Sequence, residues 1–95
     1  MLDFVNLEDL EIDERVAEMV EEYGRQVPMN YHLYDCGTFP LNKERLERLL
    51  ELNTEDLPPI YVKKTSGYHK VLNGRHRIAT AILNNQTSVN VVYTN

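Results

Sequence analysis

The stretch VLNGRHRIATAIL, residues 71–83, changes character at its glycine. Val71 and Leu72 read as the end of a strand. Beyond Gly74, Ile78, Ala81 and Ile82 recur at the i, i+3, i+4 spacing of one helix face, which predicts a helix over Arg75–Leu83 ended by Asn84 and Asn85. The first turn of that helix holds Arg75, His76 and Arg77. Helix N-termini carry unpaired amides and roughly half a positive charge, so cations there oppose the dipole. Such a conflict between sequence and local rule marks a functional position, and an anion seated among the three side chains would resolve it.

Regular elements extend outward from this turn. Ile60–Lys63 predicts a strand, Thr65-Ser66-Gly67 a turn and Tyr68–Leu72 the returning strand of a hairpin. Val89, Val91 and Tyr93 alternate as a last strand. Toward the N-terminus, Val16, Met19, Val20 and Tyr23 make the stripe of a helix over Asp13–Tyr23, with Asp13 as N-cap and Gly24 past its end. Asn42 caps a second helix over Lys43–Leu52, striped by Leu46, Leu49 and Leu50 and stopped before Pro58-Pro59. Between these helices, Tyr31, Leu33 and Cys36 suggest one short strand. Helices and strands interleave without repeat or linker, so the expectation is a single α+β domain over 1–95 with a small mixed β-sheet.

Ninety-five residues suffice for one modest core. No apolar run approaches the ~18 residues of a membrane span, and MLDFVNLEDLEID is acidic where a signal peptide is basic. A cytoplasmic protein is therefore expected, with no membrane partner. One cysteine, Cys36, makes neither an internal disulfide nor a thiolate zinc site, and only the His32-x₃-Cys36 spacing is ligand-like, so no metal site is expected from His32, Cys36, His69 and His76.

The net charge of −5 is distributed unevenly. Residues 1–56 hold all 15 acids and five bases, a net of −10, while residues 57–95 hold five bases (Lys63, Lys64, Lys70, Arg75, Arg77) and no acid. Either the two halves attract each other, or the C-terminal half faces an anion.

Phosphate suits the glycine turn best. With Gly74 at the cap, the amides of Arg75, His76 and Arg77 would grip its oxygens, as other helix N-termini do, and an arginine would add a bidentate clamp. Two or three charge-assisted bonds of about 1.5–3 kcal/mol each support millimolar to micromolar affinity after the cost of association. An internal carboxylate from the acidic half is the competing occupant. His76, with a pKa near neutrality, is the candidate general acid or base, although binding is its commoner role.

Pro59-Ile60-Tyr61-Val62, a hairpin, and Asn73-Gly74-Arg75-His76-Arg77 leading into Ile78-Ala79-Thr80-Ala81 together resemble the ParB/sulfiredoxin-like superfamily. Its pattern is P-I-x-V, a strand, an acid or asparagine with glycine, and a basic pair opening an alanine-rich helix. The resemblance covers residues 42–95 and includes the helix from Lys43 and the final strand; residues 1–41 are divergent. It implies a nucleotide pocket in which Asn73, Gly74, Arg75, His76 and Arg77 surround the phosphates, with ATP or CTP and Mg²⁺ as cofactors. Members include CTP-dependent partition proteins, the peroxiredoxin-repair enzyme and a kinase of free serine. Arg75 stands where sulfiredoxins carry their catalytic cysteine, which argues against peroxiredoxin repair. Partition proteins have an acid after the glycine, and the kinase has aspartate where this chain has Asn73.

Three functions follow as expectations. A nucleotide-binding enzyme, by phosphoryl transfer or hydrolysis, needs a carboxylate from Asp35, Glu44, Glu55, Asp56 or the first helix. A plasmid or viral nucleic-acid-binding protein or nuclease would track phosphates with Lys63, Lys64, His69 and Lys70 beside the turn and stack bases on Tyr61 and Tyr68, against a pI near 5.1. A non-catalytic interaction module would keep the pocket without turnover.

Overall fold

The computed structural model describes residues 3–27, 32–34, 40–52, 56–65 and 69–94, with 32–34 described by their backbone alone. The chain runs β1 (Asp3–Asn6), a 3-10 turn (Leu7–Asp9), β2 (Leu10–Asp13), α1 (Glu14–Glu22), β3 (His32–Tyr34), α2 (Lys43–Leu50), β4 (Ile60–Lys64), β5 (His69–Asn73), α3 (Arg75–Leu83) and β6 (Ser88–Tyr93). It is a small α+β domain, and its sheet is mixed, with strand order β1-β6-β4-β5-β2-β3. The β1–β6 and β4–β5 pairs are antiparallel, while β4–β6, β2–β5 and β2–β3 are parallel.

The caps form where the sequence places them. Asp13 accepts the Val16 amide at 3.0 Å and starts α1; Asn42 accepts the Arg45 amide at 3.0 Å and starts α2. Gly24, at φ +79°, follows α1, and its amide bonds to Glu21 while that of Arg25 bonds to Val20. This is the paired closure of a Schellman end. Asn85 does the same for α3 at φ +60°, with the Asn85 amide on Ile82 and the Gln86 amide on Ala81. Asparagine is the side chain that tolerates this left-handed conformation best.

The core is built from Leu7, Leu10, Ile12, Val16, Val20, Leu46, Ile60, Val62, Ile78, Ala81 and Val91, all at most 2% exposed. α3 lies between α1 and α2 and against β4 and β6. Contact on both flanks buries Ile78, Ala79, Thr80, Ala81 and Ile82 in one run, wider than the three-residue face expected. Ala79 and Ala81 allow the neighbouring helices close approach, and Thr80 is admitted because its hydroxyl donates to the His76 carbonyl at 2.8 Å.

The N-terminal strands were not foreseen. β1 and β2 are four residues each, at the margin where periodicity carries a signal, and acids surround them. β2 is nonetheless interior to the sheet, with β5 on one side and β3 on the other, and buries Leu10 and Ile12. Of the irregular segment 27–41, the strand expected near Leu33 is present as β3, whereas Cys36 lies outside the described residues, as do Ser66, Gly67 and Tyr68 of the hairpin turn. The second helix ends at Leu50, two residues earlier than expected, and the second hairpin strand runs to Asn73.

Candidate anion-binding site

The sheet order decides what surrounds the glycine turn. β2 and β5 run parallel with Leu10 opposite His69 and Glu11 opposite Lys70, so their carboxyl ends emerge together. One continues into α1 through Asp13 and the other into α3 through Gly74. In sheets of this kind the crevice beyond the carboxyl ends of parallel strands is where ligands bind. α2 delivers a third helix N-terminus to the same place: the Asn42 amide donates to His76 Nε2 at 2.9 Å. Three positive helix ends, the cations Arg45, Arg75 and Arg77, and the imidazole of His76 thus converge on one region.

Each helix end is capped differently. Asp13 caps α1 with a carboxylate and Asn42 caps α2 with an amide oxygen, but Gly74 offers α3 no side chain at all. Gly74 cannot be replaced by a capping residue. Its φ is +122°, and a Cβ there would lie 3.0 Å from Ile60 Cγ1 and 3.3 Å from the Ile60 Cα. The backbone is glycine's own, and the β4 strand presses against it.

A cavity of about 200 Å³ opens at this point, lined by Arg45, Pro58, Asn73, Gly74, His76 and Arg77. Four of the five residues expected to surround phosphate therefore share one concave wall. The fifth, Arg75, does not line it. Its guanidinium donates to Asp13 Oδ2 at 2.8 Å, and the Asp13 side chain is 1% exposed. At this one arginine, the acidic half of the chain does supply the anion.

Arg77 is held by its Nη1 donating to the Pro59 carbonyl and its Nη2 donating to Asn73 Oδ1 at 3.3 Å. Those bonds use two of the five N–H groups that a guanidinium carries. Burial, opposed by Tyr61 and reinforced by Arg45, lowers its pKa.

His76 accepts the Asn42 N–H at Nε2, which assigns its proton to Nδ1 and leaves that N–H as its donor. Burial first, then the charges of Arg45, Arg75 and Arg77, hold its pKa below the ordinary 6.5. The neutral ring is the form the fold accommodates. In the unfolded chain the imidazole protonates near pH 6.5, whereas in the folded protein it resists to lower pH. The stability it contributes is complete above that unfolded value and is lost as the pH falls from there through the folded pKa. Urea unfolding midpoints between about pH 7 and 5 should therefore fall more steeply for the native chain than for His76→Gln, which keeps an acceptor for Asn42. Superimposable pH profiles would refute the depressed pKa.

Arg45 and the α2 N-terminus were missed at the sequence level. The signal was present: Lys43 and Arg45 sit in the first turn of a capped helix, the same conflict with the dipole that singled out residues 75–77. What the sequence does not carry is the packing of α2 on α3 that brings the two turns face to face.

The remaining basic residues go elsewhere. Lys63 pairs with Lys70 and Lys64 with His69, at the opposite end of the β4–β5 hairpin from Gly74. Glu11 lies beside Lys70 in register, and His69 is occupied with the Asp9 carbonyl at 3.4 Å and the Tyr93 hydroxyl at 3.2 Å. They form no continuous strip with the glycine turn. Among the described residues no carboxylate lines the cavity and no three His, Cys, Asp or Glu side chains group as metal ligands. Asp35 and Glu55 lie outside those residues. No described helix is long and apolar enough to cross a membrane.

No protein-family model matches this chain, and the curated proteins yield no relative of it.

Proposed function

We propose that the protein binds the phosphate of a nucleotide at the turn 73–77, in a domain of ParB/sulfiredoxin-like character. One observation carries the reading: the uncapped N-terminus of α3 opens onto a cavity walled by Arg45, His76 and Arg77 with no described carboxylate in it. Phosphate oxygens would accept from the amides beyond Gly74, from Arg77 and Arg45 as charged donors, and from His76 Nδ1–H. The order P-I-x-V strand, hairpin, Asn73-Gly74, helix and parallel final strand supports the family reading. In this arrangement His76 is a phosphate donor first. Proton transfer by His76, and turnover with Mg²⁺, are secondary parts of the proposal, since they need a carboxylate and none among the described residues lines the cavity.

Thermal stability should be followed during titration with ATP, CTP, GTP and ADP, with and without Mg²⁺, for the native chain and for Arg77→Ala. At a ligand concentration 100 times Kd the native chain gains about 2.7 kcal/mol, and Arg77→Ala should lose most of that gain. A native chain indifferent to every nucleotide at millimolar concentration would leave the turn as a structural charge cluster and the domain as an interaction module.

A further inference from the structure

A second cavity, of about 270 Å³, adjoins the basic one, and Pro58 and Arg77 line both. Its own walls include Phe4, Leu57, Gln86 and Asn90, on β1, the segment before β4, the turn after α3 and β6. Two features here serve the fold badly. Phe4 sits on the edge strand β1 with 74% of its surface exposed, although an aromatic ring contributes most when buried. The Gln86 side-chain oxygen is buried with no hydrogen-bond partner, a condition rare enough in folded proteins to require a reason.

Gln86 is not loosely placed. Its amide closes the Schellman end of α3 on the Ala81 carbonyl at 2.9 Å, and the left-handed Asn85 before it fixes the direction of the chain. Gln86 therefore stands on an anchored backbone at the wall of a mainly apolar cavity, with its unpaired oxygen buried. An apolar wall, an exposed ring and an unpaired acceptor that a turn of the Gln86 side chain brings to the cavity are together complementary to a flat heteroaromatic group that bears an N–H donor. The ring stacks on Phe4, as bases do on exposed aromatics, and its amino group donates to Gln86. A carboxamide presents an acceptor beside a donor, the pattern that pairs with adenine. Arg77 at the junction places such a group next to a phosphate.

We infer that the cavity between Phe4 and Gln86 seats the amino-bearing base of the nucleotide whose phosphate occupies the glycine turn. This rests on the phosphate reading above and adds what lies beyond the phosphate: selection for a base with an exocyclic amino group, through Gln86.

Four ligands separate the parts of the claim on the full 95-residue chain: AMP, purine riboside 5′-monophosphate (which lacks the amino group), ribose 5-phosphate and adenosine, titrated by calorimetry or by NMR shifts. AMP should bind at least tenfold more tightly than ribose 5-phosphate. Loss of the amino group should cost about 3- to 10-fold, the range of one neutral hydrogen bond. Gln86→Leu should bind AMP and purine riboside monophosphate alike, keep the native affinity for ribose 5-phosphate, and melt no lower than the native chain, because it removes an unpaired oxygen. Equal affinities for AMP and ribose 5-phosphate would eliminate the base seat while leaving the phosphate site standing. Adenosine binding without any response to ribose 5-phosphate would eliminate the phosphate site and keep the seat. Silence from all four ligands overturns both.

Discussion

Gly74→Ala is expected to cost about 3 kcal/mol, which for a domain of this size lowers Tm by roughly 12–24 °C. Two independent terms add. A φ of +122° lies where only glycine is at ease, and holding alanine there costs about 1–3 kcal/mol. The new methyl would also meet Ile60 at 3.0 and 3.1 Å through its side chain and at 3.3 Å through its Cα. Ile60 is 2% exposed and sits on a strand bonded to both β5 and β6, so it cannot withdraw without moving the sheet, and overpacking of this kind costs about 1–3 kcal/mol. Gly24→Ala is the control. It has a comparable left-handed φ of +79° but nothing within 4 Å of its would-be Cβ, so only the backbone term applies. Chemical denaturation of both variants decides the matter, and equal losses would mean that the Ile60 contact contributes nothing. The proposed phosphate site would inherit the same constraint: a strained or displaced residue 74 moves the amides that follow it.

That glycine, and the helix it opens, were legible in the sequence because several local signals agree. Turn residue, apolar spacing and terminating asparagines all point to Arg75–Leu83, and the helix has those bounds. The caps at Asp13 and Asn42 were legible for the same reason, since each is a side chain–backbone bond made within three residues. Hairpin strands β4 and β5 and the final strand β6 were readable from alternation, with ends shifted by one residue, whereas the parallel pairing of β6 with β4 was not.

What was not legible depends on partners far along the chain. β2 is a strand because β5 and β3 flank it; four residues around Leu10 and Ile12 do not announce that. The register of that parallel pair then sets the fate of Arg75, since it carries Asp13 to the α3 N-terminus across 62 positions of sequence. The basic cluster was read as one unit, and the fold divides it. Arg75 belongs to a structural pair, His76 and Arg77 face the cavity, and Arg45 from another helix completes the wall. Charge asymmetry alone could not distinguish an internal carboxylate from an external anion. At Arg75 the fold supplies the internal carboxylate; at Arg45 and Arg77 the external anion is the proposal.

The pair itself carries the second large effect. Asp13→Ala is expected to destabilise the domain by about 3 kcal/mol, at the lower edge of what breaking a buried ion pair costs. The carboxylate does two things at once: Oδ1 caps the Val16 amide and Oδ2 meets Arg75. The cap accounts for about 1 kcal/mol. The rest is the loss of the Asp13 counter-charge from a guanidinium at the positive end of α3, moderated because Arg75 keeps 26% of its side chain exposed. Arg75→Met strands the other partner more severely, as the Asp13 side chain is 1% exposed, though the Val16 amide still supports it. If the two losses share one interaction, Asp13→Ala with Arg75→Met should cost scarcely more than Asp13→Ala alone, a coupling of about 1–3 kcal/mol. Methionine fills the volume of the arginine stem and asks for no counter-charge, and replacing a buried pair by apolar groups is often neutral. Urea unfolding of the four proteins closes the cycle, and strictly additive losses would show that Asp13 acts only as a helix cap. Coupling near the upper value would instead mean that the α1 and α3 N-termini are fastened to each other. In that case the amides after Gly74 are held in place without any phosphate, and the proposed site would be organised before a ligand arrives.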